Sequence, residues 1–170
     1  LSDVAVKPQQ HFNTVLYSGT GATQSITGVG FQPDLVWNKR RSGSSNPAIF
    51  DAVRGATKYL SSSGNGAEGT YADSLTSFDA DGFTFGADTS SAGDNGSGTT
   101  AVSWNWKANG SGSSNTDGSI TSTVSANQDA GFSIVSWTGN ATAGATIGHG
   151  LSKAPEMIIN KSRSHAANFY

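Results

Sequence analysis

The sequence predicts an all-β fold, an antiparallel β-sandwich of jelly-roll-like pattern. Three observations carry that expectation. Helical periodicity is nearly missing, whereas short segments alternate apolar and polar residues. Turn signals separate these segments at near-regular spacing. Hydrophobic residues make up 35% and charged residues 13%, and the balance is filled by 22 glycines with Ser, Thr, Asn and Ala. That is the composition of short strands joined by tight turns.

The elements follow in chain order. In "HFNTVLYSG", Phe12, Thr14 and Leu16 share one strand face and Asn13, Val15 and Tyr17 the other. In "GFQPDLVWNKRRS", Pro33 starts a strand, where a missing N–H is tolerated. Residues 46–60 admit a helix with Asn46 as N-cap and Pro47 in its first turn. Gly55 at its centre costs that helix roughly 1 kcal/mol relative to Ala. The preferred reading is a pair of strands, 49–53 and 58–60, turning at Arg54-Gly55. "SLTSFDADGFTFG" reads as a hairpin turning over 79–82, with Phe83 and Phe85 together on the returning strand. The polar tract 86–100 is expected to be an exposed loop. In "AVSWNWKA", Val102, Trp104 and Trp106 face one way and Ala101, Ser103 and Asn105 the other. Residues 108–119 read as a flexible linker, after which alternation resumes with Ile120 and Val124 as inward residues.

The chain repeats itself. With a shift of 120 positions, Phe12 falls on Phe132, Val15 on Val135, Tyr17 on Trp137, Gly19 on Gly139, Gly28 on Gly148, Gly30 on Gly150 and Phe31 on Leu151. After an insertion of two residues, Pro33 meets Pro155, Asp34 meets Glu156, and Leu35-Val36-Trp37 meets Met157-Ile158-Ile159. Asn38-Lys39 then meets Asn160-Lys161, and Arg41-Ser42 meets Arg163-Ser164. Glycines match glycines, apolar residues match apolar ones, and the indel falls at a turn, the pattern of a duplicated fold. The matched glycines are expected to mark turns of positive φ. The expected organisation is a lead-in over 1–10, a first β-sandwich unit over 11–108, a Gly/Ser-rich linker and joining strand over 109–130, and the start of a second, incomplete unit over 131–170. A third of a sandwich cannot bury its own apolar face, so further chain, the first unit or another subunit is expected to complete it. The start at Leu1 reads as that of a processed or partial piece.

Charge and composition exclude several functions. The net charge is −2, and the densest cationic cluster is Lys39-Arg40-Arg41, a solvated strand end. No basic stripe suits nucleic acid, and no apolar run approaches the ~18 residues that span a bilayer. Cysteine is absent, which removes disulfides, thiolate metal sites and a thiol nucleophile.

No catalytic, cofactor-binding or metal-ligating set emerges, and the chain reads as non-enzymatic with no cofactor. There is no G-x-S-x-G elbow. His11, His149 and His165 are scattered without ligand spacing, and His149, between two glycines, reads as a turn residue. Asp79, Asp81 and Gly82 resemble a fragment of a calcium loop, to which Asp88, Asp94 and Asn95 would add oxygens, but a hairpin turn needs Asp-Gly in any case. The acids Asp51, Glu68, Asp73, Asp79 and Asp81 offer no evident glycosidase pair. Trp37, Trp104, Trp106 and Trp137 would form a carbohydrate platform if exposed, and are expected to be core instead. Arg54 is expected to pair locally with Asp51. The matched "NKRRS" and "NKSRS" are polar strand ends or, functionally, partners for an acid on a neighbouring subunit.

The segments "HFNTVLYSGTG", "GVGFQPDLVWNKRRS", "FDAVRGATKYL", "SLTSFDADGFTFG", "VSWNWKANG", "NTDGSITSTVSANQDAGFSIVSWTGN" and "GHGLSKAPEMIINKSRS" together resemble a repeated β-domain of phage structural proteins, notably tail-fibre or tail-tip proteins of marine phages. Such domains are often found with concanavalin-like (laminin-G-type) jelly rolls. The resemblance covers nearly the whole chain. It implies a location in the virion and a structural or host-adhesion role, with capsid decoration or a head fibre as the alternative position. The partners it implies are further copies of the chain, as a homo-oligomer and trimeric if a fibre, other virion proteins, and a host surface glycan. It supplies no catalytic residues. The competing reading is a carbohydrate-binding or carbohydrate-cleaving β-sandwich.

Overall fold

The computed structural model describes residues 7–89 and 94–170. Most of the 1–10 lead-in and residues 90–93 of the polar tract lie outside the described residues. Twelve strands follow a single 3-10 turn at Pro8–Gln10, with no α-helix among the described residues. They are β1 (Phe12–Ser18), β2 (Gln24–Thr27), β3 (Leu35–Arg40), β4 (Ala48–Asp51), β5 (Lys58–Ser61), β6 (Gly69–Thr70), β7 (Leu75–Asp79), β8 (Gly82–Phe85), β9 (Thr100–Trp106), β10 (Ser113–Asn115), β11 (Ser122–Asn127) and β12 (Phe132–Trp137). A six-stranded sheet, β1-β9-β3-β4-β5-β6, faces a three-stranded sheet, β2-β8-β7, and a separate three-stranded sheet holds β10-β11-β12. Every pairing between named strands is antiparallel. The fold is the antiparallel β-sandwich that the alternation predicts.

The core lies between the first two sheets. Val36, Ala48 and Phe50 from the large sheet meet Ile26, Leu75, Phe83 and Phe85 from the small one. Phe83 and Phe85 are two residues apart, so the strand period of two points both inward. Phe85 packs its ring on Tyr17, Phe50 and Phe83 at centroid distances of 6.2, 6.1 and 5.5 Å. Thr84 points outward between them, and its hydroxyl donates to Asp79 Oδ2 at 2.7 Å.

The 46–60 region is two strands, β4 and β5, joined through a turn at 52–54. The 75–85 region is the expected hairpin, pairing Asp79 with Gly82 around Ala80-Asp81. Gly82 has φ +152°, and a Cβ there would collide with the Ile26 carbonyl oxygen of the neighbouring strand. Two physical reasons therefore lie behind the repeated glycines. Gly28, Gly30 and Gly150 have positive φ of 89°, 86° and 71°. Gly19 and Gly148 serve close approach instead: a Cβ at Gly19 would strike the Gly96 carbonyl, and one at Gly148 the Asn115 amide oxygen.

The 86–100 tract is not the exposed loop expected, because Asp88, Asp94 and Asn95 are buried, and three further expectations need correction. The 108–119 stretch is not a free linker, because residues 113–115 form β10 and pair with β11. Its entry is also fixed by Asp34, which is buried and accepts N–H groups from Ala108 at 2.7 Å and Gly110 at 3.2 Å. Burial raises the Asp34 carboxyl above its ordinary value, opposed by these two bonds and by Lys107. Second, Pro155 starts no strand: residues 157–159 are exposed and unpaired, although Pro33 does precede β3. Third, the tryptophans are not core. Trp37, Trp104 and Trp106 are half-buried on the face of the large sheet that points away from the sandwich interior, and Trp137 is 38% exposed. Their strands turn the opposite residues inward: Val36 and Asn38 beside Trp37, and Ala101, Ser103 and Asn105 beside Trp104 and Trp106.

Candidate functional site

Three places in the molecule gather polar or aromatic side chains. The first is a cleft of about 640 Å³ at one end of the sandwich, lined by Lys39, Arg40, Ser44, Ser45, Asn46, Tyr59, Asp88, Thr89 and Gly96. The end of β3 supplies Lys39 and Arg40, the β3–β4 turn supplies the serines and Asn46, and the segment after β8 supplies Asp88 and Thr89.

Next to this cleft is a buried polar cluster. Tyr17 donates its hydroxyl to Asn38 Oδ1 and to the Asp94 carbonyl, each at 3.1 Å. Asp88 Oδ2 accepts the N–H groups of Asp94 at 2.7 Å and Asn95 at 3.1 Å. Asn95 in turn donates to the carbonyls of Ala22 and Gly86, at 2.7 Å each. Asp94 and Asn38 are fully buried, and both Asp94 carboxylate oxygens, Asp88 Oδ1 and Asn38 Nδ2 have no hydrogen-bond partner among the described residues. Burial pushes the Asp94 carboxyl up to about 7; Asp88 adds to the rise, while Asn38, Arg40 and Lys39 oppose it. Burial likewise raises the Tyr17 hydroxyl well above its usual value, with Asp94 second.

This cluster has a pH consequence. An Asp whose folded-state pKa lies above its unfolded value binds more protons folded than unfolded, so its contribution to stability is present at low pH and is lost as pH rises. For Asp94 the window runs from the ordinary value of 3.8 to about 7. Asp94→Asn is expected to flatten this fall and to stabilise the protein at pH 8 by on the order of 4 kcal/mol. Urea denaturation of both proteins at pH 5 and pH 8 checks it: equal midpoint differences at the two pH values would refute the assignment.

The second place is the outer face of the six-stranded sheet. The rings of Trp37 and Trp104 sit 5.9 Å apart at 60°, and Trp37 Nε1 donates to Ser62 Oγ at 2.9 Å. Phe12 packs on Trp106 at 4.9 Å, and Phe132 also stacks on Trp106, at 6.2 Å and 24°. This aromatic row brings Phe12 and Phe132, which match in sequence at the shift of 120, onto one tryptophan.

The third is an ion-pair chain at the junction. Arg54 Nε meets Asp51 Oδ2 at 2.5 Å, as the sequence suggested, and Arg54 Nη1 meets Glu68 Oε2 at 3.3 Å. Arg163 reaches the same carboxylate, with Nε 2.9 Å from Oε2 and Nη2 3.1 Å from Oε1. Burial opposes ionisation of Glu68, but the Arg163 hydrogen bond and charge, with Arg54, outweigh it and hold the carboxyl below its usual value. Lys161 Nζ adds donations to the Asn65 and Gly66 carbonyls at 3.1 and 2.7 Å. The "NKSRS" segment thus finds its acid within the same chain.

The remaining candidates take structural places. His149 Nδ1 accepts the Leu151 N–H at 3.1 Å, and His11 Nδ1 lies 2.9 Å from Asn127 Nδ2. His165 Nδ1 is 3.0 Å from the neighbouring Ser164 hydroxyl. Asp79 accepts the Ser77 and Thr84 hydroxyls, and Asp81 accepts the Gly28 and Gly30 N–H groups at 3.0 and 2.6 Å. These two N–H bonds hold the Asp81 carboxyl below its ordinary value. Asp79 and Asp81 therefore brace the hairpin and the Gly28–Gly30 turn. Asp73 accepts the N–H and hydroxyl of Thr89. The Tyr17–Asn38–Asp94 cluster was not legible in the sequence, because its members are 21 or more positions apart; the one signal was Asn38 alternating in phase with Val36.

No curated protein and no solved structure matches the chain. The family model that matches is described as a domain of unknown function (DUF7483), and it covers residues 7–170. With nearly the whole sequence under that model, the chain belongs to the DUF7483 family.

Proposed function

We propose that this chain is a non-enzymatic structural module of a phage particle, a tail-fibre or tail-tip unit that acts in assembly and host adhesion. The observation that supports this reading best is the junction between the two repeats. Arg163 of the later repeat is tied to Glu68 of the earlier one, which Arg54 and Asp51 brace from behind. Phe132 stacks on Trp106 across the same junction. Tandem units joined by ion pairs and stacked rings keep a fixed relative orientation, which suits a part that transmits load over a distance. The cleft at the sandwich end then offers a contact surface for a host glycan or a neighbouring virion protein. Assembly as a homo-oligomer, trimeric in a fibre, belongs to this reading, and capsid decoration is the alternative position.

A second reading is a carbohydrate-binding module, favoured by the half-exposed Trp37–Trp104 pair on an outer sheet face. Such rings stack on sugar faces when water-accessible.

Quantitative mass spectrometry of density-banded particles from the natural host tests the first reading, with immunogold labelling to place the protein. Recovery in the particles at a fixed copy number, with label on the tail, is expected. Absence from the particles would overturn it. Glycan-array binding that is lost in Trp104→Ala, by a protein absent from particles, would establish the second reading in its place.

A further inference from the structure

The second repeat exposes what the first one covers. Val36 is fully buried in β3, between β9 on one side and β4 on the other. Its counterpart Ile158 is 71% exposed, and Met157 and Ile159 beside it are 78% and 63% exposed. These three residues make no backbone hydrogen bond among the described residues. A contiguous, exposed, extended apolar segment is a ready template for strand pairing.

One of its edges is already engaged. Asn160 and Tyr170 exchange both backbone hydrogen bonds, at 2.8 and 3.0 Å. In the first repeat Asn38 pairs with Ala48, and both positions lie 122 residues earlier. The second repeat thus reproduces the β3–β4 register at this pair. Backbone groups of successive strand residues point to opposite edges, so the N–H and C=O groups of Ile159 and Lys161 face the other edge. In the first repeat that edge belongs to β9, which lies between β3 and β1.

The counterpart of β1 tells the same story. β12 pairs with β11 on one side only and is the end strand of its sheet. Gly19, at the end of β1, is closed in by the Gly96 carbonyl and the Thr99 hydroxyl just before β9. Its counterpart Gly139 has open space. Tyr17 is bonded inside the sandwich, whereas its counterpart Trp137 is 38% exposed. The open edge of residues 157–161 is the one that β9 covers in the first repeat, and β12 likewise keeps one edge open. Arg163 Nη1 reaches Ser136 Oγ on β12 at 2.7 Å, which shows the two segments as neighbours.

We infer that β12 and residues 157–161 form an acceptor for one antiparallel strand of the β9 kind, from a homologous repeat unit, with tryptophans at alternate positions. The first repeat fixes the register. Trp106 lies opposite both Phe12 and Leu35, and Trp104 opposite Thr14 and Trp37. The incoming strand accordingly places its two tryptophans against Phe132 and Met157, and against Ile134 and Ile159. It turns Ile158 toward an interior, as Val36 is turned. This is strand addition, in which main-chain bonds supply affinity and alternate side chains supply register.

The test uses a synthetic peptide with the sequence of residues 100–107, TAVSWNWK, added to the intact chain. The expected result is saturable binding with amide exchange slowed at least tenfold at 132–137 and at Ile159 and Lys161, and nowhere on β1 or β6. Ile158→Asp should weaken binding at least tenfold; that side chain is solvent-exposed, so the variant folds. Leu16→Asp, on the exposed face of β1, should leave binding unchanged. A peptide with both tryptophans replaced by serine should bind at least tenfold more weakly. Absence of binding, protection at β1 or β6 instead, or self-association through residues 157–159 that excludes the peptide would each overturn the proposal.

Discussion

Replacing Arg54 by alanine is expected to destabilise the protein by about 3–5 kcal/mol, the cost of leaving a buried ion pair without one partner. The Arg54 side chain is 4% exposed and lies between Asp51 and Glu68. It also donates Nη2 to the Ile49 carbonyl at 3.0 Å. Without it, the Asp51 carboxylate remains buried with, among the described residues, only the residue-54 N–H, at 2.8 Å, to answer it. Urea denaturation measures the loss. The double change Asp51→Asn with Arg54→Met removes both charges and should recover most of it, since a neutral pair of similar volume carries no unpaired ion. If the double variant is as unstable as the single one, packing rather than charge explains the effect. Glu68 adds an acid limb. Its carboxyl is held below the ordinary value of 4.5, so its contribution is present above that value and is lost as pH falls through the folded-state pKa.

Phe85→Ala is expected to cost a further ~3–5 kcal/mol, a large share of the ~5–15 kcal/mol that holds an ordinary domain. Phe85 is fully buried, lies on the central strand of the small sheet, and touches Tyr17, Phe50 and Phe83. The cavity left behind would be lined by rigid rings that cannot collapse into it. Leu16→Ala provides the contrast, because Leu16 is 61% exposed, and its expected effect is below about 0.5 kcal/mol. Thermal melts of the two variants check the pair, and equal losses would mean that the sandwich core lies elsewhere.

Much of this architecture is legible in the chain alone. Alternation in "HFNTVLYSG" and "AVSWNWKA" placed two strands, and Asp-Gly punctuation placed the β7–β8 hairpin with Phe83 and Phe85 turned the same way. Local geometry decides such features: a strand's side chains alternate wherever it goes, and a tight turn demands its own residues. The same alternation separated Trp104 and Trp106 from Ser103 and Asn105, but could not say which set faces the core. Only the facing β2-β8-β7 sheet decides that. It fills the interior with phenylalanines and leaves small and amide side chains of β9 opposite, so the tryptophans turn outward.

The repeat also was readable in sequence, as matched residues at a fixed shift. Its structural outcome was not, because a strand exists only when a neighbour satisfies its backbone groups. Leu35-Val36-Trp37 lies in a strand with β9 and β4 beside it and Val36 fully buried; Met157-Ile158-Ile159, of the same character, is exposed. Likewise the polar stretch after Ala108 carries β10 because Asp34 and β11 hold it. The sequence by itself determined the strand phases and the turns, which depend on nearest neighbours along the chain. The tertiary structure decided which faces became core, which acids became buried, and that Arg163 closes on Glu68, because those depend on partners 95 positions apart that only folding brings together.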